Sequence, residues 1–255
     1  MNTAEQTRPL AAVIMAAGQG KRMNNPDKAK VMHELAGTPL LGHVVALARQ
    51  LGCSRIVVVV GHQRESVIAY LRSFEPAVST AVQAEQLGTA HAVLQAEAAL
   101  DGFDGDVVIL SGDAPMTRFS TLTAALAVHR AHHAAVTVLT AVLPDATGYG
   151  RVIRDAHGAI MRIVEHKDAS DAERTVREIN SGIYIFDHRV LFDALRHVGN
   201  DNAQGEYYLP DVFAIFRREG RTMLPFVVED FDEIRGVNTI EQLAEMELLF
   251  ARRRS

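Results

Sequence analysis

Five apolar runs, each continuous where a half-wet strand would alternate, constrain this chain more than any other feature. They occupy residues 10–16, 55–60, 78–82, 106–110 and 135–142. A strand with one wet face alternates apolar and polar side chains. An unbroken apolar run of strand length needs cover on both faces, which a parallel sheet between two helical layers provides. Segments near 39–51, 63–73, 89–100 and 119–133 carry helical patterns between the runs and predict crossover helices. The alternation predicts an α/β fold: a Rossmann-like, mostly parallel sheet flanked by helices.

From about residue 148 the rhythm changes. Residues 151–154 and 160–164 are short strand-like runs about the turn Asp155-Ala156-His157-Gly158, a hairpin signal. Strand character returns at 183–186 and 222–228, with helices near 188–197 and 208–218. A last helix, from 239 to about 252, carries Leu243, Met246, Leu249 and Phe250 at amphipathic spacing. No Pro/Ser-rich linker, low-complexity tract or internal repeat is visible. The expectation over residues 1–255 is therefore one domain, with a first part to about 147 and a mixed, β-rich second half from about 148.

Composition narrows the partners. The chain has 255 residues, 48% of them hydrophobic and 22% charged, which is the balance of a soluble globular protein. Its net charge of −5 argues against a nucleic-acid footprint, and the one basic cluster, residues 251–255, reads as a solvated helix end favoured by the helix dipole. The single Cys53 excludes an internal disulfide and a cysteine zinc cluster, and it fits a reducing compartment. Residues 1–9 are too polar for a signal peptide, and no apolar run approaches the roughly 18 residues of a spanning helix. The expected setting is the cytoplasm, with neither membrane nor nucleic acid as partner. The sequence sets no oligomeric state.

Residues 13–32, "VIMAAGQGKRMNNPDKAKVM", turn from oily to basic within a few positions. Residues 10–16 predict the first central strand, and Ala17-Gly18-Gln19-Gly20 the turn at its carboxyl end, where ligands of open α/β sheets bind. Glycine allows positive φ and close backbone approach, so successive amide N–H groups can face a polyphosphate. Lys21, Arg22, Lys28 and Lys30 supply positive charge around it. The spacing is neither the P-loop's GxxxxGK[ST] nor the dinucleotide GxGxxG, because position 23 is Met. A plain tight turn is the competing reading, and GxGxR with the following lysines favours the phosphate loop.

At this point a resemblance becomes specific. "LAAVIMAAGQGKRM" and "KVMHELAGTPLLGHV" are similar to the sugar-phosphate nucleotidyltransferase family, in particular to the uridylyltransferase domain of N-acetylglucosamine-1-phosphate uridyltransferases. Further strings follow in order: "QAEQLGTAHAV" (83–93), "SGDAPM" (111–116), "TGYGRVIR" with "IVEHKDAS" (147–170), "EINSGIY" (178–184), "NAQGEYYLPD" (202–211) and "GVN" (236–238). The resemblance spans nearly the whole chain. It implies a nucleotide-diphospho-sugar transferase fold and a reaction of UTP with a sugar 1-phosphate. The implied products are a UDP-sugar, UDP-N-acetylglucosamine for this branch, and pyrophosphate, which places the chain in cell-envelope precursor synthesis.

By the same resemblance, Ala17, Gly18 and Gly20 bind substrate phosphates, with Arg22 and Lys30 as the catalytic cations. Asp113 and Asn238 are the implied ligands of Mg²⁺, for which hard oxygen donors are suited. Gln83, Gly88 and Thr89 surround the uracil, Gln83 offering one donor and one acceptor to the pyrimidine edge. Gly150, Glu165, Asn180 and Tyr208 line the sugar. Read without the family, Thr89 is a helix N-cap, Asn238 or Thr239 caps the last helix, Glu165 is a surface carboxylate paired with Lys167, and Tyr208 is a core aromatic. The chain departs from the usual pattern at Ala29, where proline is common, and its loop is one residue longer. Ser111 stands where tyrosine is usual and Pro210 where threonine is usual, which takes away side-chain contacts to substrate that the usual residues offer.

His129, His132 and His133 fall at helical i, i+3, i+4 spacing, but the reaction requires no histidine, and the helix-end reading is preferred to a metal site. The bifunctional relatives continue into hexapeptide repeats that form an acetyltransferase domain, and no such repeats are present in residues 1–255. Two alternatives stay open: a nucleotidyltransferase of another base or sugar specificity, and a non-catalytic nucleotide-sugar sensor.

Overall fold

The computed structural model describes residues 8–23, 25 and 27–254. Residues 1–7, which hold most of the polar start, lie outside them, as do Asn24, Pro26, Ser255 and the side chains of Lys21 and Arg254, the last two residues of the basic cluster among them. Strand β1 (Leu10–Ala16) opens the fold and ends at the glycine loop. A two-residue hairpin, β2 (Glu34–Leu35) and β3 (Thr38–Pro39), leads into α1 (Leu40–Gln50), β4 (Arg55–Val60), α2 (Arg64–Phe74) and β5 (Ser79–Val82). Then come α3 (Thr89–Leu94), β6 (Asp106–Ser111), α4 (Phe119–Ala131), β7 (Val136–Val142) and the hairpin β8 (Arg151–Arg154) and β9 (Ile160–Val164). The chain finishes with α5 (Asp171–Arg174), β10 (Glu178–Asp187), α6 (His188–Arg196), α7 (Val212–Arg218), β11 (Met223–Val227) and α8 (Ile240–Arg254).

The main sheet runs β11-β7-β10-β6-β1-β4-β5. Every neighbouring pair along it is parallel except those of β10, which runs antiparallel to both β6 and β7. The mostly parallel α/β sheet expected from the apolar runs is thus what forms. Its central strands β1, β4 and β6 are continuously apolar because both faces are covered, whereas β5, expected to be covered likewise, is an edge strand and largely exposed. Ala11 and Val13 of β1 enter one core with Leu191, Phe213 and Phe216, while Leu10, Ala12, Ile14 and Ala16 enter the other with Leu41, Val44, Val67 and Leu122. From β1 the chain builds outward to β4 and β5 and then returns to β6 on β1's other side. The crevice between the carboxyl ends of β1 and β6 is therefore the topological switch point.

Several boundaries differ from the sequence reading. The helix expected over 89–100 stops at Leu94 and resumes only as a 3₁₀ turn at Ala98–Leu100. The one expected over 208–218 starts at Val212, after a 3₁₀ turn at Leu209–Asp211 into which Pro210 fits at the start. Strand β10 begins five residues before the expected 183–186 because a bulge lies between Asn180 and Tyr184. The bulge frees backbone N–H groups that the strand's own side chains satisfy. Gly182 N–H donates to Asn180 Oδ1 at 3.1 Å, and Ile183 N–H to Ser181 Oγ at 3.0 Å.

Of the three histidines at helical spacing only His129 lies in α4, where it is structural; His132 and His133 follow the helix end at Ala131 and are exposed. His129 is 1% exposed and its Nδ1 lies 3.0 Å from Thr137 Oγ1. Its Nε2 lies 3.7 Å from Asp106, a carboxylate wholly buried at the start of β6 and ion-paired to Arg130 at 2.6 Å and Arg8 at 3.2 Å. Burial pushes the His129 pKa down to about 4, against the opposing pull of Asp106. Folded His129 is therefore neutral where an unfolded histidine, titrating near about 6.5, takes up a proton. Stability from this residue is complete above pH 6.5 and is lost as pH falls toward 4, at no more than about 1.4 kcal/mol per pH unit. Urea unfolding at pH 7 and pH 5 should show a larger loss for the native chain than for His129→Gln. An identical loss in the two proteins would refute this account.

Candidate active site

The loop after β1 carries the first functional group. Gly20 has φ +60°, and a Cβ there would stand 2.7 Å from Lys30 Cβ, so the turn closes over Lys30 only with glycine at this position. Gly18 has open space where a Cβ would point. The loop's return leg brings the Lys30 ammonium onto Asp113 Oδ2 and to 3.3 Å from Asn238 Oδ1, which also accepts from Arg22 at 3.1 Å. Lys28, in contrast, lies 3.8 Å from Glu34 in an exposed pair.

Asp113 follows the end of β6 and is 7% exposed. Its Oδ1 accepts from Ser111 Oγ at 2.6 Å, and its carbonyl from Val237 N–H at 2.9 Å. The last contact places Asn238 beside it. Thr239, not Asn238, serves as the cap of α8: its Oγ1 accepts from Gln242 N–H at 3.2 Å, which leaves the Asn238 carboxamide oxygen to Arg22 and Lys30. A small third core of Met23, Leu35, Leu40, Met116, Val237 and Met246 lies beneath. Met23, Met116 and Val237 come from the three loops that carry Arg22, Asp113 and Asn238, so apolar packing fixes their mutual placement.

The oxygens of Asp113 and Asn238 converge on one ammonium, a geometry that suits a single cation with hard oxygen ligands. Among the described residues no group of three or more His, Cys, Asp or Glu side chains is arranged to hold a metal ion. An ion at Asp113 and Asn238 would take its remaining ligands from other sources.

A cavity of about 280 Å³ opens beside this cluster and is lined by Ala17, Gly18, Lys30, Gln83, Gly88, Thr89, Ser111, Asp113 and Glu206, among others. Gln83 is 3% exposed and its amide is engaged inside the protein. Nε2 donates to Gly88 O at 3.0 Å and lies 3.1 Å from His91 Nδ1. The expected donor of Gln83 is thus already committed, and its carbonyl oxygen is what the amide has left to offer. Gly88, with φ +114°, is the N-cap of α3 in place of the expected Thr89. A Cβ on Gly88 would come within 2.5–2.9 Å of the Tyr207 backbone. Thr89 Oγ1 instead accepts from Leu209 N–H at 2.8 Å, while Tyr207 N–H donates to Leu87 O at 2.8 Å and Ala90 N–H to Tyr207 O at 2.9 Å. Residues 87–90 and 207–209 are therefore laced together.

Glu165 and Tyr208 line a second cavity of about 280 Å³ with Asp168 and Asp211. Gly150 and Asn180 are joined by an Asn180 N–H to Gly150 O bond of 2.9 Å, and a Cβ at Gly150 would stand 3.3 Å from Glu165 Oε1. Three of the four residues expected around the sugar thus meet. Tyr208 lies against Glu165's cavity, with Gln204 donating to its hydroxyl at 2.8 Å. Burial, with the charges of Asp168, Asp211 and Glu206, raises the Glu165 pKa. Burial and Asp168 raise that of Asp211 to about 6. Glu165 is no surface partner of Lys167, whose ammonium donates to Gln204 at 2.6 Å. Ser111, His91 and Glu206 were not assigned roles from sequence. All three lie in the strings quoted above, but a linear string does not show that Ser111 donates to Asp113, that His91 meets Gln83 or that Glu206 lines the cavity.

Among the described residues, no helix is long and apolar enough to cross a membrane. A family profile described as "Nucleotidyl transferase" matches residues 11–232. The chain is 53% identical over 240 residues to the bifunctional protein GlmU of Streptomyces avermitilis, covering 93% of this chain and 50% of that protein. It is 50% identical to that of Pelobacter propionicus, over 96% of this chain and 53% of the relative. The chain spans about half the length of the curated relatives it matches. A solved UDP-glucose pyrophosphorylase complexed with UDP-glucose superposes with a TM-score of 0.77 at 18% identity, covering 96% of this chain and 99% of that one, which speaks to the fold. With a glycine-rich loop, two cations and an acid–amide pair gathered at the switch point of such a sheet, the chain belongs to the nucleotidyl transferase family.

Proposed function

We propose that this chain is a uridylyltransferase that joins UTP and N-acetylglucosamine 1-phosphate into UDP-N-acetylglucosamine and releases pyrophosphate. The observation that carries this reading is the meeting of Arg22, Lys30, Asp113 and Asn238 at the mouth of the cavity that Gln83, Gly88 and Thr89 line. The relatives named bifunctional protein GlmU, at about half identity over nearly the whole chain, support the choice of substrates. Cytoplasmic work is the companion reading, supported by a single cysteine and by the soluble nature of these substrates.

The chemistry asks for alignment more than for proton transfer. An anionic oxygen of the sugar phosphate attacks the α-phosphorus of UTP in line, the new P–O bond forms, and the bond to pyrophosphate breaks with its electron pair on the leaving group. The nucleophile is already ionised at neutral pH, so no general base is needed. The barrier comes from bringing two anions together and from charge on the leaving phosphates. Backbone amides of Ala17, Gly18 and Gly20 face the phosphates, and Arg22 and Lys30 neutralise them. Asp113 and Asn238 would hold Mg²⁺ through their hard oxygen donors. Bound there, it would supply charge neutralisation on the phosphate oxygens, which with water complete its shell.

Gln83 presents its carbonyl oxygen to the uracil N3–H, a donor that cytosine lacks, so the wrong base would leave a buried acceptor unpaired. Glu165 and Asn180 bind sugar hydroxyls, with Gly150 admitting the ring against the backbone. The raised pKa of Glu165 reflects a carboxylate poorly solvated on its own, which gains from hydroxyl donors.

Purified protein with UTP, Mg²⁺ and a panel of sugar 1-phosphates should release pyrophosphate with N-acetylglucosamine 1-phosphate. Turnover with no sugar phosphate, or only with another nucleotide, would overturn the reading. Asp113→Asn should lower turnover about 100-fold or more while leaving the circular dichroism spectrum unchanged. Near-normal rates across a Mg²⁺ titration would remove Asp113 from the metal site. Glu165→Ala should raise the KM for the sugar phosphate about tenfold and leave that for UTP nearly unchanged. An equal rise in both would count against a sugar contact.

A further inference from the structure

Asp113 is held differently on its two oxygens. Oδ2 is the one turned toward the cation position shared with Asn238, where the Lys30 ammonium lies. Oδ1 is closed off by Ser111, whose hydroxyl donates at 2.6 Å from two residues earlier in the chain. Gly236 leaves room for this carboxylate, since a Cβ there would stand only 3.2–3.3 Å from its atoms. Ser111 lines the same cavity as Lys30 and Asp113, and it is the last residue of β6, paired in register with Met15 of β1. Its hydroxyl is thus held by the sheet and not by a free loop.

We propose that Ser111 is a positioning residue that ties up Asp113 Oδ1, leaving one oxygen for a divalent cation and so favouring a small octahedral ion over Ca²⁺. This rests on the reading of Asp113 as a metal ligand. The physical reason is the way the ions use carboxylates. Mg²⁺ demands near-ideal octahedral geometry and is served by single oxygens, whereas Ca²⁺ takes six to eight ligands and readily uses both oxygens of one carboxylate. A hydrogen bond on Oδ1 blocks that second mode and fixes the direction of the first. Partners that orient a metal ligand in this way typically contribute about 10–100-fold in metal affinity.

The test is Mn²⁺ binding to the nucleotide-free full chain, followed by electron paramagnetic resonance with Ca²⁺ as competitor. Ser111→Ala should weaken Mn²⁺ binding about tenfold or more and lower the Mn²⁺-to-Ca²⁺ affinity ratio, whereas Ser111→Thr, which keeps the hydroxyl, should restore both. Ser111→Cys, which keeps the volume and gives up the strong donor, should behave like Ser111→Ala and serves if the alanine variant does not fold. Native-like Mn²⁺ affinity and ion ratio in Ser111→Ala or Ser111→Cys, with binding lost in Asp113→Asn, would overturn the role of Ser111 and leave Asp113 in place. Native-like Mn²⁺ binding by Asp113→Asn would overturn the metal reading itself, and the proposal with it.

Discussion

The central strands are buried on both faces, and the site depends on that constraint. A sheet enclosed by helices has no free face to offer a ligand, so chemistry moves to its carboxyl rim, where β1 and β6 diverge in connection. The reversed strand adds to this rim. Because β10 runs antiparallel between β6 and β7, its start, with Asn180, lies at the edge where β6 ends before Asp113. A wholly parallel sheet would have sent that end of β10 to the opposite side.

Apolar packing holds the polar cluster in place. Lys30, Arg22, Asp113 and Asn238 come from three loops far apart in sequence, and mutual attraction between such groups near a surface is worth little alone. The cluster of Met23, Met116, Val237 and Met246 beneath them gives the loops a common foundation, and α8 is part of it. The lacing of 87–90 to 207–209 does the same for the neighbouring cavity. There Gly88 allows two backbones to approach more closely than any side chain would permit.

Much of the fold was legible in the sequence. The runs at 10–16, 55–60 and 106–110 are strands β1, β4 and β6 to within a residue, because two-sided burial leaves an unbroken apolar signature. The hairpin about Asp155 was legible from its turn residues. Local signals failed where a distant contact overrode them. Thr89 looks like a cap, yet its hydroxyl is taken by Leu209. The strand expected from 183 in fact starts at Glu178, through a bulge at Asn180 to Gly182 where side chains replace ladder bonds. The donor expected of Gln83 is consumed by Gly88 and His91, neither of which a linear reading pairs with it.

The sequence by itself determined the α/β class, the glycine turn after β1 and the set of charged groups available, since these follow from burial pattern and residue chemistry along the chain. Tertiary structure alone decided what those groups touch, with Lys30 on Asp113, Lys28 out by Glu34, and Ser111 on one oxygen of Asp113 and not the other. The first of those contacts joins loops 83 positions apart, and those to Asn238 join loops more than 200 apart. Distances between such loops are set by the packing of the cores beneath them, a property of the folded whole that no local pattern encodes.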